Sequence, residues 1–138
     1  TKKLPKKFYI DRGDSVSNSK NSRIILNETV VKDYLKNNDY EIISLTNLTF
    51  LDQVALFYQA KSIVGLHGAG FANLVFSNPK TKVLELKSNT AGDIIKNLAI
   101  QNDLDYFDIS CEPKNINNRN QSGDIEINID LLNKILKS

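Results

Sequence analysis

The sequence predicts an α/β domain of three layers, a parallel sheet of about five strands with helices on both faces. Two patterns carry this reading. Short, mostly apolar runs rich in β-branched residues alternate along the chain with longer stretches of helical period. Strands and helices alternating at such spacing build βαβ units, whose strands run parallel. A third observation bounds the size: 138 residues, 41% hydrophobic and 25% charged, fit one ordinary domain, 1–138. A chain of that length buries a core without disulfides or metals.

The elements follow in order. Lys7-Phe8-Tyr9-Ile10 reads as the first strand, and a polar loop runs from Gly13 to Ser22. Asn27 is placed to cap a helix, with Glu28 in its first turn where the helix dipole favours an acid. Val30, Val31, Tyr34 and Leu35 give that helix its apolar face as far as Asn37-Asn38. Tyr40 to Leu45 is the second strand. Thr49 with Asp52 three residues on resembles a capping box, and Val54, Leu56, Phe57 and Ala60 continue the helix.

Ser62 to Leu66 is the third strand, and the Gly/Ala segment behind it opens a short helix that Asn78-Pro79 ends. A fourth strand runs from Lys82 to Leu86, a helix from Asp93 to Asn102, and a fifth strand from Asp105 to Ile109. After a polar loop at 112–123, Ile125 and Ile127 suggest a short extended piece. A closing helix covers about Asp130 to Leu136.

Composition narrows the function. A net charge of +2 is too small to argue for nucleic acid or a membrane surface as partner. No run approaches the roughly 18 apolar residues of a membrane span, and no signal-peptide pattern is present. Cys111 is the only cysteine, so no intrachain bridge forms and a reducing, cytoplasmic compartment is expected. The chain opens on Thr1-Lys2-Lys3 and contains no Met, which reads as a piece of a longer protein. One histidine and one cysteine argue against a common zinc site, and no metal is expected. Neither a Gly-x-Ser-x-Gly elbow nor a Walker loop appears. Cys111 closes the fifth strand and reads as structural, not as the partner of His67 in a dyad. The Arg12-Gly13-Asp14 tripeptide and the sequons at Asn27, Asn47 and Asn120 are too short to carry a function.

The informative stretch is 63–76, "IVGLHGAGFANLVF". It holds the single histidine, His67, against three small residues, Gly68, Ala69 and Gly70. In a parallel sheet, ligands bind beyond the carboxyl ends of the strands. The first loop on that edge carries Arg12 and, further on, Arg23, the third carries His67 to Gly70, and the fourth follows Glu85 and Lys87. Small residues let a ligand approach the backbone, and free N–H groups at a helix start favour an anion. His67 can donate to a phosphate or ribose oxygen, and two arginines can hold a diphosphate in bidentate fashion. Glu85 interrupts an apolar strand, and buried acids need partners. Together these residues read as a nucleotide-diphosphate pocket.

A dinucleotide fingerprint is a poorer fit. Gly68-Ala69-Gly70-Phe71-Ala72-Asn73 lacks the third glycine, its helix is cut short by Pro79, and it follows the third strand instead of the first.

The order of motifs resembles the C-terminal region of glycosyltransferase family 61. The family's features are found here as Tyr9 to Arg12 at a strand end and Arg23 to Glu28 at a helix start. They continue with Phe50 to Val54, His67 to Gly70, Asn73, and Val83 to Glu85. The match covers about residues 7–87, and one departure is Asp11, where many members carry a small polar residue. The resemblance implies the Rossmann-like C-terminal half of a two-domain GT-B enzyme that transfers a sugar with inversion and without a bound metal. It implies that Arg12 and Arg23 meet the diphosphate. His67, Gly68, Ala69 and Gly70 then line the donor pocket, and Asn73 and Glu85 orient that turn or the ribose.

The expected function is therefore donor binding in a glycosyltransferase acting in polysaccharide assembly, in the cytoplasm or at the inner face of the membrane. The donor is expected to be a UDP-sugar, with no separate cofactor. Expected partners are a glycan or protein acceptor and an N-terminal domain of the same enzyme. The catalytic residues are not identified. The competing class is a non-catalytic nucleotide- or phosphosugar-binding module.

Overall fold

The computed structural model describes residues 3–12, 24–68, 70–114 and 124–138. Strand β1 (Lys7–Asp11) precedes α1 (Glu28–Lys36) and β2 (Glu41–Ser44). Helix α2 (Phe50–Gln59) leads to β3 (Ser62–Leu66) and a 3₁₀ helix, Phe71–Phe76. Then come β4 (Lys82–Ser88), α3 (Ile94–Gln101), β5 (Asp105–Cys111) and α4 (Ile129–Leu136). The five strands form one sheet in the order β2-β1-β3-β4-β5, every neighbouring pair parallel. The expected three-layer, Rossmann-like α/β domain is what forms.

Alternation along the strands assigns the two cores. Tyr9, Val64, Leu66, Leu84 and Leu86 pack with Val31 and Leu35 of α1 and Leu132 of α4. Phe8, Ile10, Ile63 and Val83 face the other way, onto Leu56 and Phe57 of α2, Phe71 and Leu74, and Ile95 and Ala99 of α3. Strand β3 is buried along its whole length, as a parallel strand covered on both faces must be. Among the described residues no helix is long and apolar enough to cross a membrane.

Several local expectations are refined. Thr49 does cap α2, its hydroxyl oxygen accepting from the Asp52 N–H at 3.1 Å. Asn27 does not cap α1 through its side chain. Its amide nitrogen donates to the Ile127 carbonyl (2.8 Å) and its oxygen accepts from the Ile127 N–H (2.9 Å). An amide serves a donor and an acceptor at once, and extended chain offers both. The piece expected at Ile125 and Ile127 appears as an isolated parallel bridge between Ile25 and Ile125. β2 is shorter than Tyr40 to Leu45, because Leu45–Asn47 winds into a 3₁₀ turn. The Gly13 to Ser22 loop, and most of the loop at 112–123, lie outside the described residues.

Two tyrosines tie the sheet to its surroundings. Tyr9 is buried and its hydroxyl donates to Glu28 Oε2 at 2.7 Å. Burial first, then the Glu28 charge and hydrogen bond, holds its phenol far above the ordinary value of about 10. Tyr106 is raised as strongly, by burial and then by Glu85. The native state therefore keeps both phenol protons where the unfolded chain releases them. Their stabilising contribution is complete below the unfolded value and is lost as pH rises past it. Urea unfolding between pH 8 and 11.5 is expected to show stability falling steeply above about pH 10. The Tyr9→Phe variant should fall less steeply; an equal slope would show that this phenol is not a source of the loss.

Candidate active site

The strand order makes a place for a ligand. From β1 the chain crosses to β2 on one side and then to β3 on the other, so the direction of winding reverses between β1 and β3. Beyond the carboxyl ends of two such strands the connecting segments part and leave a crevice. A cavity of about 500 Å³ lies there, within the usual range for small-molecule sites.

Arg12 follows β1 and lines this cavity, as do His67, Gly68, Gly70 and Asn73. Five of the eight residues singled out in the sequence are thus brought to one place. Arg23 and Ala69 lie outside the described residues. Glu85 is fully buried and does not line the cavity, so it supports His67 instead of touching a ligand. Lys87 is also turned away: its ammonium donates to the Gly92 carbonyl at 3.1 Å and lies 3.4 Å from Asp93 Oδ1.

The histidine is held from two sides. Its N–H donates to the Leu86 carbonyl at 2.8 Å, extending the β3–β4 pairing by one residue. Nδ1 bonds Glu85 Oε2, and the other carboxylate oxygen accepts from the Tyr106 hydroxyl at 2.5 Å. A carboxylate only accepts, so Nδ1 carries the proton of that bond and Nε2 is the ring atom left for a ligand. The imidazole side chain is 15% exposed.

The turn behind it depends on glycine. Gly68 (φ +90°) and Gly70 (φ +82°) both adopt left-handed backbone, and the Gly70 N–H reaches the Gly68 carbonyl at 2.6 Å. A Cβ at Gly70 would stand 2.4 Å from Leu45 Cδ1. Substitution at either glycine is therefore strained whether or not a ligand is near. The expected helix start is a 3₁₀ helix of six residues, too short to form an anion site through its dipole. Arg12 and His67 bring to the cavity wall side chains of a kind that suits an anion.

The opposite wall was not legible as a site. Gln53 of α2 accepts from Asn73 Nδ2 at 3.0 Å, and its own amide donates to the Leu45 carbonyl at 3.0 Å. This clamp joins α2, the 3₁₀ turn after β2 and the segment after β3 around one space. Ile10 and Leu45 add apolar surface, and Asp11 at the rim pairs with Lys32 at 3.2 Å. Gln53 stood within the Phe50 to Val54 motif, but only folding shows that it meets Asn73. Among the described residues no group of three or more His, Cys, Asp or Glu side chains is placed to hold a metal.

A cationic side chain, an imidazole and two glycines with left-handed backbone line one cavity where the parallel sheet reverses its winding, and they define a candidate ligand site in an α/β domain. The family model Glycosyltransferase 61 matches residues 1–84, more than half of the chain, and the chain belongs to that glycosyltransferase family. The matched span carries Arg12, the glycine turn, His67 and Asn73, and it ends one residue before Glu85. The family implies a nucleotide-sugar and an acceptor as partners. Among curated proteins none matches the chain.

Proposed function

We propose that this domain binds the nucleotide-sugar donor, a UDP-sugar, of an inverting glycosyltransferase that needs no metal. A glycan or protein acceptor would be presented by an N-terminal domain of the same enzyme, in the GT-B arrangement. The observation that carries this reading is the convergence of Arg12 and His67 on one cavity at the switch point. Their loops follow β1 and β3, and Gly68 and Gly70, directly after His67, line the same cavity.

In this reading the Arg12 guanidinium binds the diphosphate in a bidentate contact and offsets the charge that develops on the nucleoside diphosphate as the sugar departs. His67 directs Nε2 at a phosphate or ribose oxygen, with Glu85 fixing the ring behind it. Gln53 and Asn73 hold the far wall, where Ile10 and Leu45 offer an apolar surface to the base. Arg23 is the proposed second arginine on the diphosphate.

Calorimetry with UDP and UMP in EDTA tests the reading. UDP is expected to bind more tightly than UMP without a divalent cation, because the second phosphate gains a charge-assisted contact. Arg12→Ala should weaken UDP by roughly tenfold to a hundredfold and bring it close to UMP, since such contacts contribute about 1.5–3 kcal/mol. Equal affinity of the two nucleotides for the unaltered protein would remove the diphosphate role from Arg12.

A further inference from the structure

The geometry points to Tyr106 as a positioning residue for His67, acting through the buried carboxylate of Glu85. This deepens the donor-pocket reading and rests on it for the ligand, though not for the positioning itself. Tyr106 lies on β5, beyond the matched span, and no motif in the sequence drew attention to it.

Glu85 sits in the middle of β4 with no exposed surface. A buried carboxyl group is costly unless its oxygens are satisfied, so its partners define what it does. Among the described residues it has one donor on each oxygen: His67 on Oε2 and Tyr106 on Oε1. In the β4–β5 register Glu85 stands opposite Asp108, and Tyr106 stands opposite Val83. Tyr106 thus reaches Glu85 along the diagonal, a span open to an aromatic side chain.

The alternatives to Tyr106 are used elsewhere or are of the wrong kind. Lys87, on the same face of β4, points its ammonium at Gly92 and Asp93. Asp108, the register partner, is an acid whose Oδ2 is 3.4 Å from the Tyr106 hydroxyl. Arg12 and Asp11, at the end of β1, line the same cavity as the imidazole, and Asp11 pairs with Lys32 at 3.2 Å. A carboxylate held at both oxygens cannot turn about its last bond. Its Oε2 lone pair therefore has one direction, and the imidazole has one orientation and one neutral tautomer, Nδ1–H. The hydroxyl of Tyr106, more than its ring, sets which way Nε2 points.

Because the chain has a single histidine, its ring nitrogens are read without ambiguity by long-range ¹H–¹⁵N spectra. On nucleotide-free protein the neutral ring is expected to be almost wholly the Nδ1–H tautomer. Tyr106→Phe keeps the ring shape and should shift the tautomer ratio toward Nε2–H by about fivefold, the equivalent of one net hydrogen bond. Glu85→Gln is the second arm. With Tyr106 donating to the amide oxygen, the amide NH₂ faces Nδ1 and the Nε2–H tautomer should dominate.

A tautomer ratio unchanged in Tyr106→Phe, or Nδ1–H retained in Glu85→Gln, would overturn the proposal. A purely structural tyrosine would lower the melting temperature of Tyr106→Phe and leave the tautomer alone. UDP titration separates the two readings. Failure of the unaltered protein to bind UDP would end the donor assignment while the spectra still decide the role of Tyr106. UDP binding with an unmoved tautomer would end the role of Tyr106 and leave the donor site standing.

Discussion

Phe71→Ala is expected to cost about 3–5 kcal/mol of stability and to weaken nucleotide binding with it. Phe71 is fully buried and opens the 3₁₀ helix immediately after the glycine turn. Its ring lies over Gly65 of β3, so closely that a Cβ there would meet Phe71 Cζ at 3.1 Å, and Ile10 of β1 borders the same space. Truncation opens a cavity beneath the turn that carries His67. Sheet backbone on one side and helix α2 on the other limit how far the gap can close, which is the condition for a cost at the upper end. Urea unfolding and UDP calorimetry on one preparation check both parts. A loss under about 1 kcal/mol would mean that the turn is held without this ring. Lost stability with unchanged affinity would mean that the turn's position does not matter to the ligand.

Glu85→Leu is expected to cost about 2–4 kcal/mol, although it places an apolar side chain of similar size in a buried position. The cost comes from what is left behind: the Tyr106 hydroxyl and His67 Nδ1 each lose an acceptor in a partly buried site. Replacing Tyr106 by Phe in the same chain removes one of the stranded groups, so the double variant should recover part of the loss. A double-mutant cycle in chemical denaturation measures this. Strict additivity of the two changes would show that the residues are not coupled, against the short contact between them.

Much of the fold is legible in local chemistry. The period of Val31 and Leu35, the cap at Thr49 and the stop at Asn78-Pro79 are set by residues within a turn or two of one another, so a linear reading finds them. The same holds for the glycine turn after β3, because left-handed backbone at Gly68 and Gly70 is a demand met by residue type alone. Asn27 shows where such reading stops. Its residue type suits a helix cap, yet its amide serves Ile127, a hundred positions away. The competition between a local and a distant partner is decided by which is present after collapse.

By itself the sequence determined the class of fold, the edge of the sheet where the candidate site lies, and Arg12, His67, Gly68, Gly70 and Asn73 as residues to watch. Periodicity, turn chemistry and the family's motif order are all written along the chain. Only the tertiary structure decided that β1 and β3 are neighbours, and so that the winding reverses between the loops of Arg12 and His67. Only it decided that Glu85 lies behind the histidine, that Tyr106 holds Glu85, and that Gln53 meets Asn73. Strand order is chosen by how two apolar layers cover the sheet together, a sum over contacts distant in sequence. A buried acid takes whichever donors that packing brings within about 3 Å.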